Sequence, residues 1–323
     1  MILNSTSTLF FMTMMFGIIL SLSSSSWLIL WIGMEVTIMS FIPLINSKLM
    51  ISSEASMKYF IIQSMSSSVF MLGVMFMLMG VNMNIEILIG CSMLISMGVA
   101  PFHNWVLSMI EGLNYYMLTN MFTTLKLVPL LVLMTLSLKL IYILIYTLAV
   151  GSILGLNQNS LRKILSYSSI FNMGFMIFMK DVFSLWLIFM ILYSFNLFLL
   201  TYIFENNNFN YLNQLVLNNF DYKMSISIWV LLLSSGGIPP MMGFWGKMIS
   251  IELALFLNEW LVALSMIFMS LLVMFYYNRL CFTSMSLSSL MMKWTFCIKS
   301  KLGLIILVTN LFTLPLAMMF KYV

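Results

Sequence analysis

Long apolar stretches alternate with short polar stretches along the whole chain. A helix needs about 20 mostly apolar residues to cross the hydrocarbon core of a membrane. By that measure the pattern predicts eleven spanning segments, at residues 3–22, 27–45, 57–79, 85–103, 115–136, 138–156, 162–180, 182–204, 225–256, 260–280 and 302–321. Since backbone polar groups in lipid must be satisfied within each segment, we expect an all-α, polytopic membrane protein.

Two of the predicted segments contain residues that interrupt a helix. These residues are Gly98 and Pro101 in the fourth segment, and Gly236, Gly237, Pro239 and Pro240 in the ninth. The ninth segment is also too long for one straight helix, which favours two half-helices with an unwound middle. Paired interrupted helices occur in transport proteins built from inverted repeats. The five-segment separation therefore favours an inverted five-helix repeat over two unrelated proline kinks.

The polar stretches between the segments are short. The two longest cover residues 205–224 and 281–301, and neither is long enough for a folded domain. We therefore interpret the chain as a single membrane domain. The predicted domain covers residues 1–323. Within it we expect a first repeat at about 23–156, a second repeat at about 157–280, and a C-terminal loop and last helix at 281–323.

Charged residues make up 7% of the chain, far below the roughly 25% of soluble domains. The basic residues in the loops and near the segment ends are unequally divided between the two sides of the predicted membrane. On the N-terminal side are Lys48, Lys58, Arg162, Lys163, Lys223, Arg279, Lys293, Lys299 and Lys301, and on the other side are Lys139, Lys180 and Lys321. Positive residues concentrate on the side of synthesis, so we expect the N-terminus there and the C-terminus opposite.

Several functional classes are disfavoured by what the sequence lacks. The net charge of +5 is spread along the chain without a basic stripe, which argues against nucleic acid as a partner. The sequence has neither a dinucleotide-binding glycine motif nor a P-loop. Cys91, Cys281 and Cys297 form no metal-binding spacing and are typical packing residues. The first segment has no basic leader pattern, so we expect it to belong to the mature protein.

Ionisable residues inside the apolar segments are the main candidates for chemistry, because each costs about 2.5–3.5 kcal/mol to insert. Glu35 lies near the middle of the second segment, and Lys126 lies near the middle of the fifth. Lys247 follows the interruption in the ninth. Proton handling is favoured for all three. The alternatives are a packing carboxylate for Glu35, a fixed ion pair or a bond to free carbonyls for Lys126, and an interfacial lysine for Lys247.

His103 is the only histidine and stands beside the interruption in the fourth segment. Its ordinary protonation range suits a proton relay. A histidine at a helix break also commonly bonds to free carbonyl groups. The sequence leaves both roles open.

Several motifs resemble the second antiporter-like membrane subunit of mitochondrial NADH:ubiquinone oxidoreductase, respiratory complex I, in its shortened animal form. The motifs are SWLILWIGMEVTIMSFIPL, SEASMKYFIIQ, MGVAPFHNWV, LNQNSLRKILSYSSIFNMGFM and GGIPPMMGFWGK. The resemblance covers residues 20 to about 280. It implies an antiporter-like fold of inverted five-helix repeats with two broken helices. The animal forms lack three N-terminal helices, which would explain the eleven segments.

The resemblance also implies a function and its residues. The subunit would translocate protons across the mitochondrial inner membrane, coupled to electron transfer from NADH to ubiquinone elsewhere in the complex. Glu35 would be the pathway glutamate, Lys126 the central lysine and Lys247 the exit-side lysine. NAD, FMN, iron–sulfur clusters and ubiquinone are expected in partner subunits and no cofactor in this chain. Expected neighbours are other antiporter-like subunits, small membrane subunits, accessory subunits and lipids.

One departure from the family affects the pathway. The family carries a lysine two residues before the glycine of the first broken helix, where this chain has Ser96. Leu107 and Ser108 also replace a Pro-Glu pair that usually follows. Three hypotheses remain: proton translocation with water or His103 substituting for the lysine, a structural subunit that does not pump, and an independent cation/proton antiporter. The N-terminus would lie in the matrix and the C-terminus in the intermembrane space.

Overall fold

A computed structural model describes residues 5–47, 49–80, 84–217, 222–288 and 309–310. In these ranges the chain is helical, apart from loops and one isolated antiparallel bridge between Ser160 and Tyr211. Six described helical stretches, counting Tyr115–Thr135 as one, are long and apolar enough to cross a membrane, as expected for a multi-pass membrane protein. The predicted all-α class is confirmed. The count of eleven stays a prediction, since all but two residues of segment 302–321 lie outside the described ranges.

The chain divides into two compact units, and the first comprises residues 1–147 and 176–181. Its helices are α1 (Ser5–Ser23), α2 (Trp27–Ile45), α3 (Met50–Leu78), α4 (Ile85–Met97), α5 (Asn104–Ile110), α6 (Tyr115–Phe122), α7 (Thr124–Thr135) and the start of α8 (Ile141–Ile153). A short 3₁₀ helix at Met179–Asp181 completes the unit.

The second unit comprises residues 148–175 and 182–323. It contains the end of α8, a 3₁₀ turn at Leu154–Asn157, most of α9 (Leu161–Phe178), α10 (Phe183–Asn206), α11 (Leu212–Leu217), α12 (Tyr222–Gly236), α13 (Met242–Phe256) and α14 (Trp260–Ser288). The single-domain organisation and the repeat boundaries stay predictions.

Small residues bring α1 and α2 close together in the first unit. A Cβ atom added at Gly17 would lie 2.9 Å from Cγ2 of Thr37, and one at Gly33 would lie 2.8 Å from Cβ of Ser21. Small residues four positions apart on each helix allow this approach, as they do in membrane helix pairs generally. The contact fixes the helix that carries Glu35.

Both predicted interruptions end a helix, with the same backbone pattern. Gly98 and Gly237 have φ angles of +67° and +84°, values that glycine adopts without steric cost. The residue after each glycine donates its N–H to a carbonyl five residues back, which ends the preceding helix. Beyond each interruption a new helix begins, α5 in the first unit and α13 in the second.

A third interruption, in the fifth predicted segment, was not predicted. Thr123 separates α6 from α7, and the hydroxyls of Thr123 and Thr124 donate to the carbonyls of Thr119 and Asn120. Such side-chain bonds compete with the regular helical pattern. The interruption places Lys126 in the first turn of α7, where its N–H bonds to the carbonyl of Thr123 at 3.2 Å.

Candidate functional sites around two buried lysines

A polar cavity, here called the Lys126 cavity, lies inside the first unit. Its lining residues are Met34, Thr37, Ile38, Tyr59, Gln63, Ser66, Ser67, Phe70, Ser92, Met93, Ser96, Met97, Trp105, Met121, Leu125, Lys126, Val128 and Pro129. About 40 Å³ inside it is open to water molecules, and one water needs roughly 10–15 Å³. The cavity therefore has room for a few waters beside Lys126.

Lys126 is 4% exposed, and among the residues that line its cavity it alone carries a charge. Its Nζ lies 5.1 Å from the ring centroid of Phe122. Within the described ranges no carboxylate forms an ion pair with it. A buried ammonium must be solvated by polar groups or lose its proton. Water in the cavity can do the first and accept the proton in the second.

Ser96 lines the same cavity as Lys126. Its Oγ donates to the carbonyl of Met93 at 2.9 Å, and its carbonyl accepts from Nε2 of Gln63 at 3.0 Å. The Ser96 hydroxyl keeps lone pairs that can accept from water. Position 96 thus offers the cavity a neutral hydrogen-bonding group instead of a second charge.

The polar face of α3 is a part of the cavity lining that the sequence reasoning missed. Tyr59, Gln63, Ser66 and Ser67 line the Lys126 cavity. Both serine hydroxyls donate to carbonyls three residues back in their own helix. Their oxygens can therefore accept hydrogen bonds from cavity water. Gln63 follows Tyr59 by four residues, and Ser66 and Ser67 follow Gln63 by three and four, which places all four on one face of a helix. This spacing is the signal that could have revealed the polar face.

Glu35 lies beside the Lys126 cavity without lining it. Its side chain is half-buried, and its carboxylate interacts electrostatically with the hydroxyl of Tyr59, which does line the cavity. Tyr59 packs edge-on against Phe41 and lies 6.3 Å from the ring of Trp105. Met34, Thr37 and Tyr59 therefore bring the cavity lining close to Glu35.

His103 lines neither lysine cavity. It is 8% exposed, and its Nδ1 atom is buried without a hydrogen-bond partner in the described part of the chain. The structure thus brings Ser96 and Lys126 together but leaves His103 apart from them. A relay role for His103 stays a prediction.

A second cavity, here called the Lys247 cavity, lies inside the second unit. Its lining residues are Leu165, Ser168, Asn172, Phe189, Leu192, Tyr193, Asn196, Leu197, Leu200, Ser234, Ser235, Gly243, Gly246, Lys247 and Tyr277. It also offers about 40 Å³ to water molecules. Asn172 and Asn196 are buried amides, and Ser234 donates to Oδ1 of Asn196 at 2.7 Å.

Lys247 is held at the interruption between α12 and α13. It is 6% exposed, and its Nζ donates to the carbonyl of Gly236 at 2.6 Å. The same Nζ lies 5.4 Å from the ring centroid of Phe171. A carbonyl at the end of a half-helix is a natural partner for a cation. The sequence left open whether Lys247 reaches a membrane surface, and its burial argues against that alternative.

Comparison with known proteins gives these two cavities a family context. Residues 24–275 match the membrane family described as NADH:quinone oxidoreductase/Mrp antiporter, and this match includes every residue that lines either cavity except Tyr277. The chain belongs to this family. Within it, the chain is 32% identical to NADH-ubiquinone oxidoreductase chain 2 of Anopheles gambiae, over 89% of this chain and 88% of that protein.

Two further relatives support the same placement. Chain 2 of Locusta migratoria is 32% identical over 87% of this chain and 86% of that protein. A solved structure of respiratory complex I from Thermus thermophilus contains a chain that superposes with a TM-score of 0.82 at 20% identity, covering 95% of this chain and 76% of that one. The structural match shows that the family's antiporter-like fold is shared.

Proposed function

We propose that this chain is a proton-translocating membrane-arm subunit of mitochondrial NADH:ubiquinone oxidoreductase. The carrying observation is that two lysines are buried in separate, partly polar cavities, each with room for water and neither paired with a carboxylate among the described residues. Such intramembrane charges generally mark ion or proton pathways. Family membership supports assembly into a larger membrane complex.

In the proposed mechanism Lys126 accepts and releases protons through cavity water. Its ammonium transfers a proton to a neighbouring water, and the resulting amine takes a proton from another water. The hydroxyls of Ser66, Ser67 and Ser92 accept hydrogen bonds from these waters and hold them in line. Ser96 serves the same purpose at the position where the family carries a lysine.

Lys247 repeats this chemistry in the second cavity. Its ammonium is held by the carbonyl of Gly236, and release of a proton would weaken that bond, because a neutral amine is a poorer donor than an ammonium. The amides of Asn172 and Asn196 can bind water in either orientation, as donor or acceptor. We propose that the two cavities act in one translocation cycle, powered by electron transfer in partner subunits.

The proposed location follows from the family and the charge pattern. We place the chain in the mitochondrial inner membrane, with the N-terminus in the matrix and the C-terminus in the intermembrane space. Neighbouring antiporter-like, small and accessory subunits, together with lipids, would cover the exposed apolar helix faces. NAD, FMN, iron–sulfur clusters and ubiquinone would bind to partner subunits.

A second candidate function is a structural membrane-arm subunit that does not pump. Ser96 favours it, because a serine cannot carry the charge that a lysine would bring to the cavity. In that case Lys126 would have only a packing role. The third hypothesis, an independent cation/proton antiporter, is disfavoured because the relatives described above are chain 2 proteins of the NADH-ubiquinone oxidoreductase.

Replacing Glu35 by glutamine should lower coupled turnover while the complex still assembles. Glutamine keeps the shape of the side chain but removes the charge that acts on Tyr59 and cannot exchange a proton. We expect a loss of about 10²-fold in proton pumping, at the low end of what a positioned acid–base group contributes. The measurement is NADH-driven acidification by the complex in sealed membranes.

Glu54→Gln is the matched control for this experiment. Glu54 is an exposed carboxylate on α3 that pairs with Lys58 one turn away. An exposed ion pair of this kind contributes little to stability, so pumping by the Glu54→Gln variant should stay normal. Normal pumping in Glu35→Gln as well would remove Glu35 from the proposed pathway.

A further inference from the structure

Lys180 is a buried lysine that the proposed proton pathway does not use. The sequence assigned it to a segment end, as one of the residues that set membrane orientation. In the structure its side chain is 9% exposed and turned inward. Its Nζ donates to the carbonyl of Leu136 at 3.1 Å and to that of Leu138 at 2.6 Å. Both carbonyls follow the end of α7, the helix that carries Lys126.

The described carboxylate nearest to Lys180 is a weak partner. Oδ1 of Asp181 lies 3.9 Å from Nζ, and the Asp181 side chain is 72% exposed. An exposed carboxylate at this distance contributes little to the binding of the Lys180 ammonium. The two carbonyl bonds are charge-assisted and buried, so they are the main contacts of the ammonium. A cation at the carbonyl end of a helix is also favoured by the helix dipole.

Lys180 binds the linker between α7 and α8, residues 136–140. This linker also contacts α4. Oε2 of Glu86, in the first turn of α4, accepts from Oγ of Ser137 at 2.6 Å. The side chain of Leu138 packs against Gly90, where an added Cβ atom would lie 2.4 Å from Cδ1. The linker therefore connects the 3₁₀ turn at Met179–Asp181 with α4 and α7, all within the first unit.

We propose that Lys180 is a positioning residue for Lys126. By binding the two carbonyls after α7, it fixes α7 against α4, so that Lys126 and Ser96 face the same cavity. This inference rests on the proposed function, since it assigns Lys180 an indirect part in proton transfer through Lys126. Loss of the two bonds would let α7 shift along α4 and change the width of the water-filled space.

The test is a graded series of variants at position 180 in the intact complex. Lys180→Met keeps the length of the side chain and removes all donors, Lys180→Gln keeps one donor group, and Lys180→Arg keeps the charge and several donors. We expect pumping to fall about tenfold in the methionine variant, since a displacement of about 1 Å can cost up to 10²-fold. The glutamine variant should be intermediate and the arginine variant near normal.

Lys139→Gln is the matched control, because Lys139 is an exposed lysine on the same linker. It should pump normally. Hydrogen exchange at the amides of α7 should speed up in the methionine and glutamine variants and stay slow in the arginine variant and the control. If the methionine variant does not assemble, the proposal is tested by comparing pumping and hydrogen exchange in the glutamine and arginine variants. Equal pumping and equal exchange in those two variants would overturn the proposal.

A double variant separates this inference from the proposed function. In a Lys126→Ala background, Lys180→Met should cause no further loss of pumping, because coupled residues are not additive. An additional loss would mean that Lys180 acts elsewhere and would overturn the positioning role. If Lys126→Ala itself leaves pumping unchanged, the proposed function fails. If Lys126→Ala lowers pumping and the Lys180 series does not, only the positioning role fails.

Discussion

Replacing Lys126 by arginine is expected to impair proton pumping as severely as replacing it by alanine. Arginine keeps the positive charge, and the cavity beside Lys126 has spare volume for the larger side chain. A guanidinium does not release its proton in proteins, whereas a lysine ammonium in a buried site can. Either variant should slow proton transfer by about 10²-fold or more, the usual contribution of a positioned acid–base group.

The arginine variant distinguishes a relay from a fixed charge. If Lys126 only supplies a positive charge for packing or coupling, arginine should preserve pumping and alanine should not. Lys58→Arg provides the control, because Lys58 is a partly exposed lysine in an ion pair on α3. The measurement is the initial rate of NADH-driven acidification per assembled complex. Normal pumping in the Lys126→Arg variant would contradict the relay.

Gly243→Ala is expected to destabilise the second unit, whereas Gly236→Ala should be tolerated. A Cβ atom added at Gly243 would lie 1.9 Å from the carbonyl oxygen of Ser234, a backbone atom that cannot rotate away. At Gly236 the nearest atom would be Cβ of Tyr277 at 3.5 Å, an ordinary contact. Overpacking of this kind costs about 1–3 kcal/mol of folding stability. We therefore expect a clear loss of stability in the Gly243→Ala variant and none in the Gly236→Ala variant.

The two glycine variants are compared by the amount and thermal stability of the assembled complex. Because α13 carries Lys247, movement of α13 away from Ser234 should also weaken the bond from Lys247 to Gly236. The Gly243 variant should therefore show both a lower melting temperature and reduced pumping. Equal stability of the two variants would contradict the close packing of α12 against α13.

Much of the helical pattern could be predicted because lipid imposes a simple rule on sequence. The predicted segment 27–45 coincides with α2, Trp27–Ile45, since apolar length alone defines such a helix. The interruptions at Gly98 and Gly237 were also predictable, because glycine and proline have distinct backbone preferences. The burial of Lys126 followed from its distance to the segment ends, whereas the interruption before Lys247 left the depth of that residue open.

The remaining features depend on contacts that sequence spacing does not determine. The interruption at Thr123 arises from hydroxyl-to-carbonyl bonds, and threonine is found in uninterrupted helices as well. Lys180 looked like a surface lysine because its partners, the carbonyls of Leu136 and Leu138, are 42 or more residues away. Gln63 was overlooked for the same reason, since its bond to Ser96 spans 33 residues.

The most direct test is the number of protons pumped per NADH oxidised, in sealed membranes that contain this chain in its complex. The comparison is a related complex whose chain 2 carries a lysine at the position of Ser96. Our account predicts equal ratios, because cavity water and the Ser96 hydroxyl carry the proton past the missing lysine. A ratio lower than that of the related complex would contradict it and would mean that this subunit does not pump.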